Sequence, residues 1–160
     1  MSKAFTRESD DSGAEDVPSF RPQLPPGVRN YITRDGAERL RQRLSGLLEK
    51  KDAPSATEVD KRKLDANISN LRQIIDSLVI AEIPADREKV AFGARAVIRH
   101  ENGQEEAYHI VGIDESDPDN GSISWVSPLA RALLSRRAGQ KVKFRSPAGE
   151  EELTIVSVGY

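Results

Sequence analysis

Three carboxylates, Asp52, Glu58 and Asp60, fall close together in this chain and run directly into a basic triplet, Lys61, Arg62 and Lys63. Neighbouring carboxylates are the groups that grip a hard divalent cation, and adjoining cations attract a phosphodiester backbone. Each group also has a plainer role. Ser55-Ala56-Thr57-Glu58 reads as a capping box, which gives Glu58 a structural task, and three successive cations on a helix also suit a hydrated face. The two histidines, His100 and His109, sit on adjacent predicted strands without a thiol or a third imidazole nearby, so they read as strand residues rather than zinc ligands. Glu115 to Gly121 superficially matches a calcium loop, but its glycine is one place late and Val126 stands where the bidentate glutamate belongs. The sequence contains no phosphate-cradling glycine loop, nucleophile elbow or dinucleotide turn. No catalytic residue, no metal site and no cofactor of its own is therefore assigned.

The most legible local chemistry is structural. Ser122 to Val126 alternates as a strand with one buried face, and Ser127 then caps a helix whose first residue is Pro128. Leu129, Leu133 and Leu134 form its apolar stripe, Arg131, Arg136 and Arg137 point elsewhere, and Gly139 is the expected stop.

The elements around these residues divide the chain into three. Residues 1–30 hold four of the nine prolines and only isolated apolar residues, too few to offset the entropy of ordering, and read as a tail. Phe5, Phe20 and Leu24 are its only candidate docking motif. Residues 31–83 read as two helices. Thr33 caps the first, with Asp35 and Glu38 in its opening turn and Ala37, Leu40, Leu44 and Leu47 as an apolar seam. Asp52-Ala53-Pro54 turns the chain, and Leu64, Ile68, Leu71, Ile75 and Leu78 give the second helix a matching seam that ends before Pro84. Such a short connection predicts an antiparallel coiled-coil hairpin. From Val90 the period becomes two. Ala94 to His100 and Glu106 to Ile113 are strands about an Asn102-Gly103 turn, Asp114 to Gly121 is an acidic loop, and Lys141 to Arg145 and Glu152 to Val158 form a second strand pair. The fold class expected is α+β: the hairpin, then a compact antiparallel sheet over 84–160 with one helix on its face.

Composition limits the functions open to such a chain. A net charge of −2, with ten Lys or Arg against nine Asp or Glu in 31–83 and ten against twelve in 84–160, confines any nucleic-acid contact to local patches. Without cysteine there is no disulfide framework or thiolate metal site. With no apolar secretion segment at the amino terminus, the expected compartment is the cytoplasm.

Five blocks change the reading from architecture to function. Tyr31 to Leu40, Phe92-Gly93-Ala94, Tyr108 to Glu115, the Ser122 to Leu134 stretch and Ser146 to Glu150 resemble, in order, the bacterial GreA/GreB transcript cleavage factors. The resemblance implies an FKBP-like carboxy-terminal domain that docks on RNA polymerase at the rim of its secondary channel, with Val126, Ser127, Pro128 and Arg131 at the docking turn. It also implies a hairpin whose acidic tip helps hold magnesium in the polymerase's own active site, a two-metal hydrolysis in which the factor is not itself an enzyme. DNA and RNA contact is then indirect, within the elongation complex. Two departures matter. The family's Gly-Asp-x-x-Glu-Asn-Ala tip is missing, and the segment from Thr33 to Gly93 is roughly twenty residues shorter than in cleavage-competent relatives, which shortens the hairpin by about 15 Å. Coordination needs a carboxylate within about 2 Å of the metal. Val126 also replaces the polar residue that usually precedes Ser-Pro. The leading expectation is a polymerase-binding elongation regulator without strong cleavage stimulation. The alternatives are an active cleavage factor using Asp52, Glu58 or Asp60, and an interaction protein resembling the regulator of nucleoside diphosphate kinase.

Overall fold

A computed structural model of the chain describes residues 24–160. Phe5 and Phe20 lie outside the described residues. The first element, strand β1 (Asn30–Ile32), opens at a residue that composition alone placed in the tail; Asn30 is buried and Ile32 wholly so. Helix α1 (Arg34–Asp52) follows at once, capped by Thr33, whose hydroxyl accepts the Gly36 N–H at 3.0 Å. Asp35 in its first turn and Lys50 and Lys51 in its last complement the helix dipole.

Helix α2 (Glu58–Ser77) begins two residues later than the sequence suggests. The Ala56 N–H closes a turn on the Ala53 carbonyl at 3.0 Å, which consumes Ser55 and Ala56 before the helix can start. The capping box is therefore Thr57 with Asp60, not Ser55 with Glu58. Ala37 of α1 and Ile68, Leu71 and Ile74 of α2 are buried, while Leu40, Leu44, Leu47, Leu64 and Ile75 are half-buried. Two helices alone cannot close a core around both seams. A Lys51–Asp65 ion pair at 2.5 Å ties them near the connection.

The second helix stops at Ser77, well short of Pro84. The Ser77 hydroxyl donates to the Ile74 carbonyl at 2.7 Å, and Leu78–Ile80 leave the helix as strand β2, paired parallel with β1. Leu78 thus belongs to a strand rather than the seam. Its neighbours Val79 and Ile80 are β-branched, and β1 offers a row of backbone partners that α2 does not.

The remaining strands, β3 (Arg95–Arg99), β4 (Glu105–Val111), β5 (Ser122–Ser124), β6 (Lys141–Ser146) and β7 (Gly149–Gly159), make one sheet in the order β5-β4-β3-β7-β6. Three of its four pairings are antiparallel, but β4 and β5 run parallel. The connection from β4 contains two 3-10 turns, Ile113–Glu115 and Pro118–Asn120, and this length lets the chain cross back instead of turning tightly. Helix α3 (Pro128–Leu133) packs Ala130 and Leu133, both fully buried, against Ile98, Ile110, Leu153 and Ile155. It is shorter than expected. Ser135 takes a left-handed φ of 67°, its N–H bonds to the Val90 carbonyl at 2.7 Å, and Gly139 instead serves the turn into β6. No helix among the described residues is long and apolar enough to cross a membrane.

Candidate functional site: the Ser-Pro corner and the ends of the helical pair

Strand β5 stops at Ser124, and the Trp125 N–H still reaches the Val111 carbonyl of β4 at 2.9 Å. The Ser127 N–H then bonds to the Ser124 carbonyl at 2.9 Å, which folds the chain into the corner. The Ser127 hydroxyl accepts the Ala130 N–H at 3.2 Å, so it is engaged as a helix cap. What the corner displays is mainly Pro128 and Arg131, both exposed and three residues apart on one face of α3, with Val126 half-buried beside them. Arg131 has no ion-pair partner among the described residues. The corner therefore offers an apolar edge and one unpaired cation, chemistry that suits a surface combining an apolar contact with a carboxylate.

Behind it, Trp125 packs edge-on to Tyr31 of β1 at 5.8 Å and to Phe92 at 6.4 Å, and Tyr31 and Phe92 approach at 6.1 Å. Offset and edge-on geometries bring positive ring edges to negative faces. The corner and the foot of the helical pair thus share one aromatic contact. Glu115, on the first 3-10 turn, strengthens the junction. Its side chain is only 2% exposed and its Oε1 accepts the Thr33 N–H at 2.7 Å and the Gly112 N–H at 3.0 Å. Its Oε2 accepts the Thr33 hydroxyl at 2.6 Å. The Asn30 amide donates to Ser77 Oγ at 3.1 Å and to Asp114 at 2.8 Å, tying β1 to the end of α2 and to the same turn. Gly112 comes so near β1 that an added Cβ would lie 2.2 Å from the Tyr31 carbonyl oxygen. Sequence reasoning treated Asp114 and Glu115 as the start of a solvated loop. No periodicity marks their bonds to Asn30 and Thr33, which span more than eighty residues.

At the other end of the helical pair the three carboxylates do not converge. Asp60 accepts the Thr57 hydroxyl at 2.5 Å and the Thr57 N–H at 3.2 Å, and the Thr57 hydrogen bonds hold its carboxyl below the usual 3.8. Glu58 pairs with Lys61 at 3.2 Å. Asp52 is exposed at the end of α1, on the far side of the connection. Among the described residues no group of three or more metal-ligating side chains is placed to hold an ion. Lys61, Arg62 and Lys63 are successive helical residues, so they fan around α2 rather than forming one stripe. Val59 is an apolar side chain left 63% exposed in this region.

The histidines also stay apart. His109 lies opposite Arg95 in the β3–β4 register, whereas His100 falls by alternation on the other face. There His100 Nδ1 meets Glu151 at 2.7 Å and Nε2 lies 3.5 Å from Glu106. The Glu151 hydrogen bond raises the His100 pKa, while burial lowers that of His109.

Known proteins are similar to this chain in sequence. Residues 85–160 match the family model described as transcription elongation factor GreA/GreB, C-terminal. GreB of Neisseria meningitidis serogroup B is 32% identical, over 83% of this chain and 95% of that protein. GreB of Pseudomonas aeruginosa is 41% identical over 62% of this chain and 60% of its own length, and GreA of Bacillus cereus is 36% identical over 71% and 73%. Among solved structures, Thermus aquaticus Gfh1 aligns with 82% of this chain and 99% of its own at 22% identity and a TM-score of 0.43. The coverage of the Neisseria relative, carried by this degree of identity, establishes that this chain belongs to the GreA/GreB family of transcription elongation factors.

Proposed function

We propose that this protein is an RNA polymerase-binding elongation regulator that docks through the Val126-Ser127-Pro128-Arg131 corner and occupies the secondary channel with a short hairpin, without strong stimulation of transcript cleavage. One observation carries the second half of that reading: the tip carboxylates do not converge. Asp60 is bound into the Thr57 cap, Glu58 is paired with Lys61, and Asp52 lies at the end of α1, across the connection. Among the described residues no group of three or more metal-ligating side chains is gathered at the tip, so it brings no assembled set of carboxylates to a weakly held magnesium ion. Helices of 19 and 20 residues reach only about 30 Å from their foot. The Neisseria alignment runs for 156 positions yet occupies only 83% of this 160-residue chain, so some positions of that relative have no counterpart here.

On this reading the carboxy-terminal sheet is the FKBP-like docking domain, the hairpin acts by occupancy, and the protein works in the cytoplasm beside the polymerase. Lys61, Arg62 and Lys63 touch nucleic acid only inside the elongation complex. The test is a pair of measurements on defined backtracked elongation complexes: polymerase binding and transcript cleavage. Binding that competes with a full-length Gre factor, with cleavage near the factor-free rate, is the expected outcome. Strong cleavage abolished by Asp52→Ala or Glu58→Ala would reinstate the active-factor reading, and absence of polymerase binding would overturn the docking assignment altogether.

A further inference from the structure

The geometry points to Glu115 as a positioning residue that sets the direction of the helical pair relative to the Ser-Pro corner, with Gly36 as its socket. This inference rests on the proposed function only for its consequence in transcription. A single oxygen, Oε1, accepts N–H groups from two bodies at once: Thr33 at the cap of α1 and Gly112 in the turn that follows β4. The other oxygen accepts the Thr33 hydroxyl and faces Arg39 at 3.4 Å. Strand β4 leads directly to the corner, because its last carbonyl, on Val111, holds the Trp125 N–H. A carboxylate this buried is costly unless its hydrogen bonds are complete. They are complete only while α1 keeps its present angle. Tilting the helical pair withdraws the Thr33 donors and leaves a buried charge with a single backbone N–H.

Gly36 supplies the independent observation. It lies within α1, where glycine is less favourable than alanine by about 1 kcal/mol, and its φ is not in the left-handed range that would call for glycine. The reason for its presence is tertiary. A Cβ there would sit 1.8 Å from Glu115 Oε2, whereas the same helix's other glycine, Gly46, has nothing within 4 Å. The helix gives up propensity at position 36 so that a carboxylate from the sheet domain can enter.

The chain has no cysteine, so spin labels at Ser55→Cys and Ser157→Cys, both exposed, report the distance between the tip of the helical pair and the sheet in the full-length protein. The unsubstituted background is expected to give one narrow distance distribution. Glu115→Ala and Gly36→Ala each broaden it, although Gly36→Ala adds a better helix former. Combined, they broaden it no more than Glu115→Ala alone, because the oxygen that the new methyl would strike has gone and only Ile32 Cγ1, at 3.0 Å, stays beside it; in that background Gly36→Ala lowers the melting temperature less than it does in the parent. Gly46→Ala leaves the distribution unchanged. On polymerase, Glu115→Ala raises about tenfold the concentration needed to compete with a Gre factor for the channel, as misaimed groups do. Folded Glu115→Ala and Gly36→Ala proteins with unaltered distributions, or strictly additive effects in the double variant, would overturn the assignment. Because distances are read on the free protein, failure to bind polymerase would sink the proposed function while broadened distributions still supported the lock.

Discussion

The foot and the tip of the helical pair are built from similar residues, threonine caps and carboxylates, yet they do opposite things. At the foot, Thr33 and Glu115 belong to different elements and hold them together across 82 positions of sequence. At the tip, Thr57 and Asp60 bond to each other within one turn of one helix. Identical chemistry thus fixes an angle between two bodies in one place and only begins a helix in the other. The difference is separation along the chain: a local cap costs little ordering entropy and positions nothing else, whereas a distant pair forms only when the whole fold brings it together.

Substitutions at the two ends sharpen this contrast. The largest effect belongs to the foot: Ile32→Ala removes a fully buried side chain and is expected to destabilise by about 3 kcal/mol in denaturant unfolding. Val59→Ala, at the tip, is expected to stay within about 0.5 kcal/mol. An equal cost at both sites would break the comparison. Next, Gly112→Ala drives a methyl against the Tyr31 carbonyl and should cost about 2 kcal/mol by overpacking. Increased hydrogen exchange at β1 and β2, with the amides of β6 and β7 still protected, would locate that damage at the foot.

Smaller and local is Thr57→Ala, expected to cost about 1 kcal/mol as a lost cap, with increased exchange confined to the first turn of α2. Its pH dependence has a definite sign. The Thr57 hydrogen bonds depress the Asp60 carboxyl below 3.8, so the carboxylate's part of the cap is complete above that value and disappears as pH falls through the depressed one, while the Asp60 N–H bond to the Thr57 hydroxyl persists; the gap between variant and parent should narrow in acid. Titration that leaves the gap constant would show that Asp60 is not part of the cap. The smallest effect lies outside both regions. The Glu151 hydrogen bond raises the His100 pKa above 6.5, so His100 stabilises most fully below 6.5 and loses that contribution as pH rises through the raised value. His100→Gln should flatten this part of the thermal stability profile.

The elements that were legible in advance are those whose cause is local. Thr33 before an apolar seam, the Ser127-Pro128 helix start and the Asn102-Gly103 turn each state their geometry within four or five residues. Errors gathered where a local preference had a distant competitor. Leu78 continues the seam of α2 by spacing, but β1 offers it backbone hydrogen bonds in a parallel pair. The Ser122–Ser124 strand alternates as any edge strand would, and alternation is silent on whether β4 runs parallel or antiparallel to it. The acidic Asp114-Glu115 pair reads as solvated because nothing within its own turn requires burial.

By itself the sequence determined the helical pair, the period-two strands, the capped corner and the family to which they belong, because each is written in patterns that repeat or close within a turn. Only the tertiary structure decided that Glu115 enters the α1 cap at Gly36, that Trp125 joins the corner to Tyr31, and that Asp60 rather than Glu58 closes the capping box with Thr57. Those outcomes depend on where donors, ring edges and missing Cβ atoms meet in space, and a linear pattern carries no record of such meetings until the chain has folded.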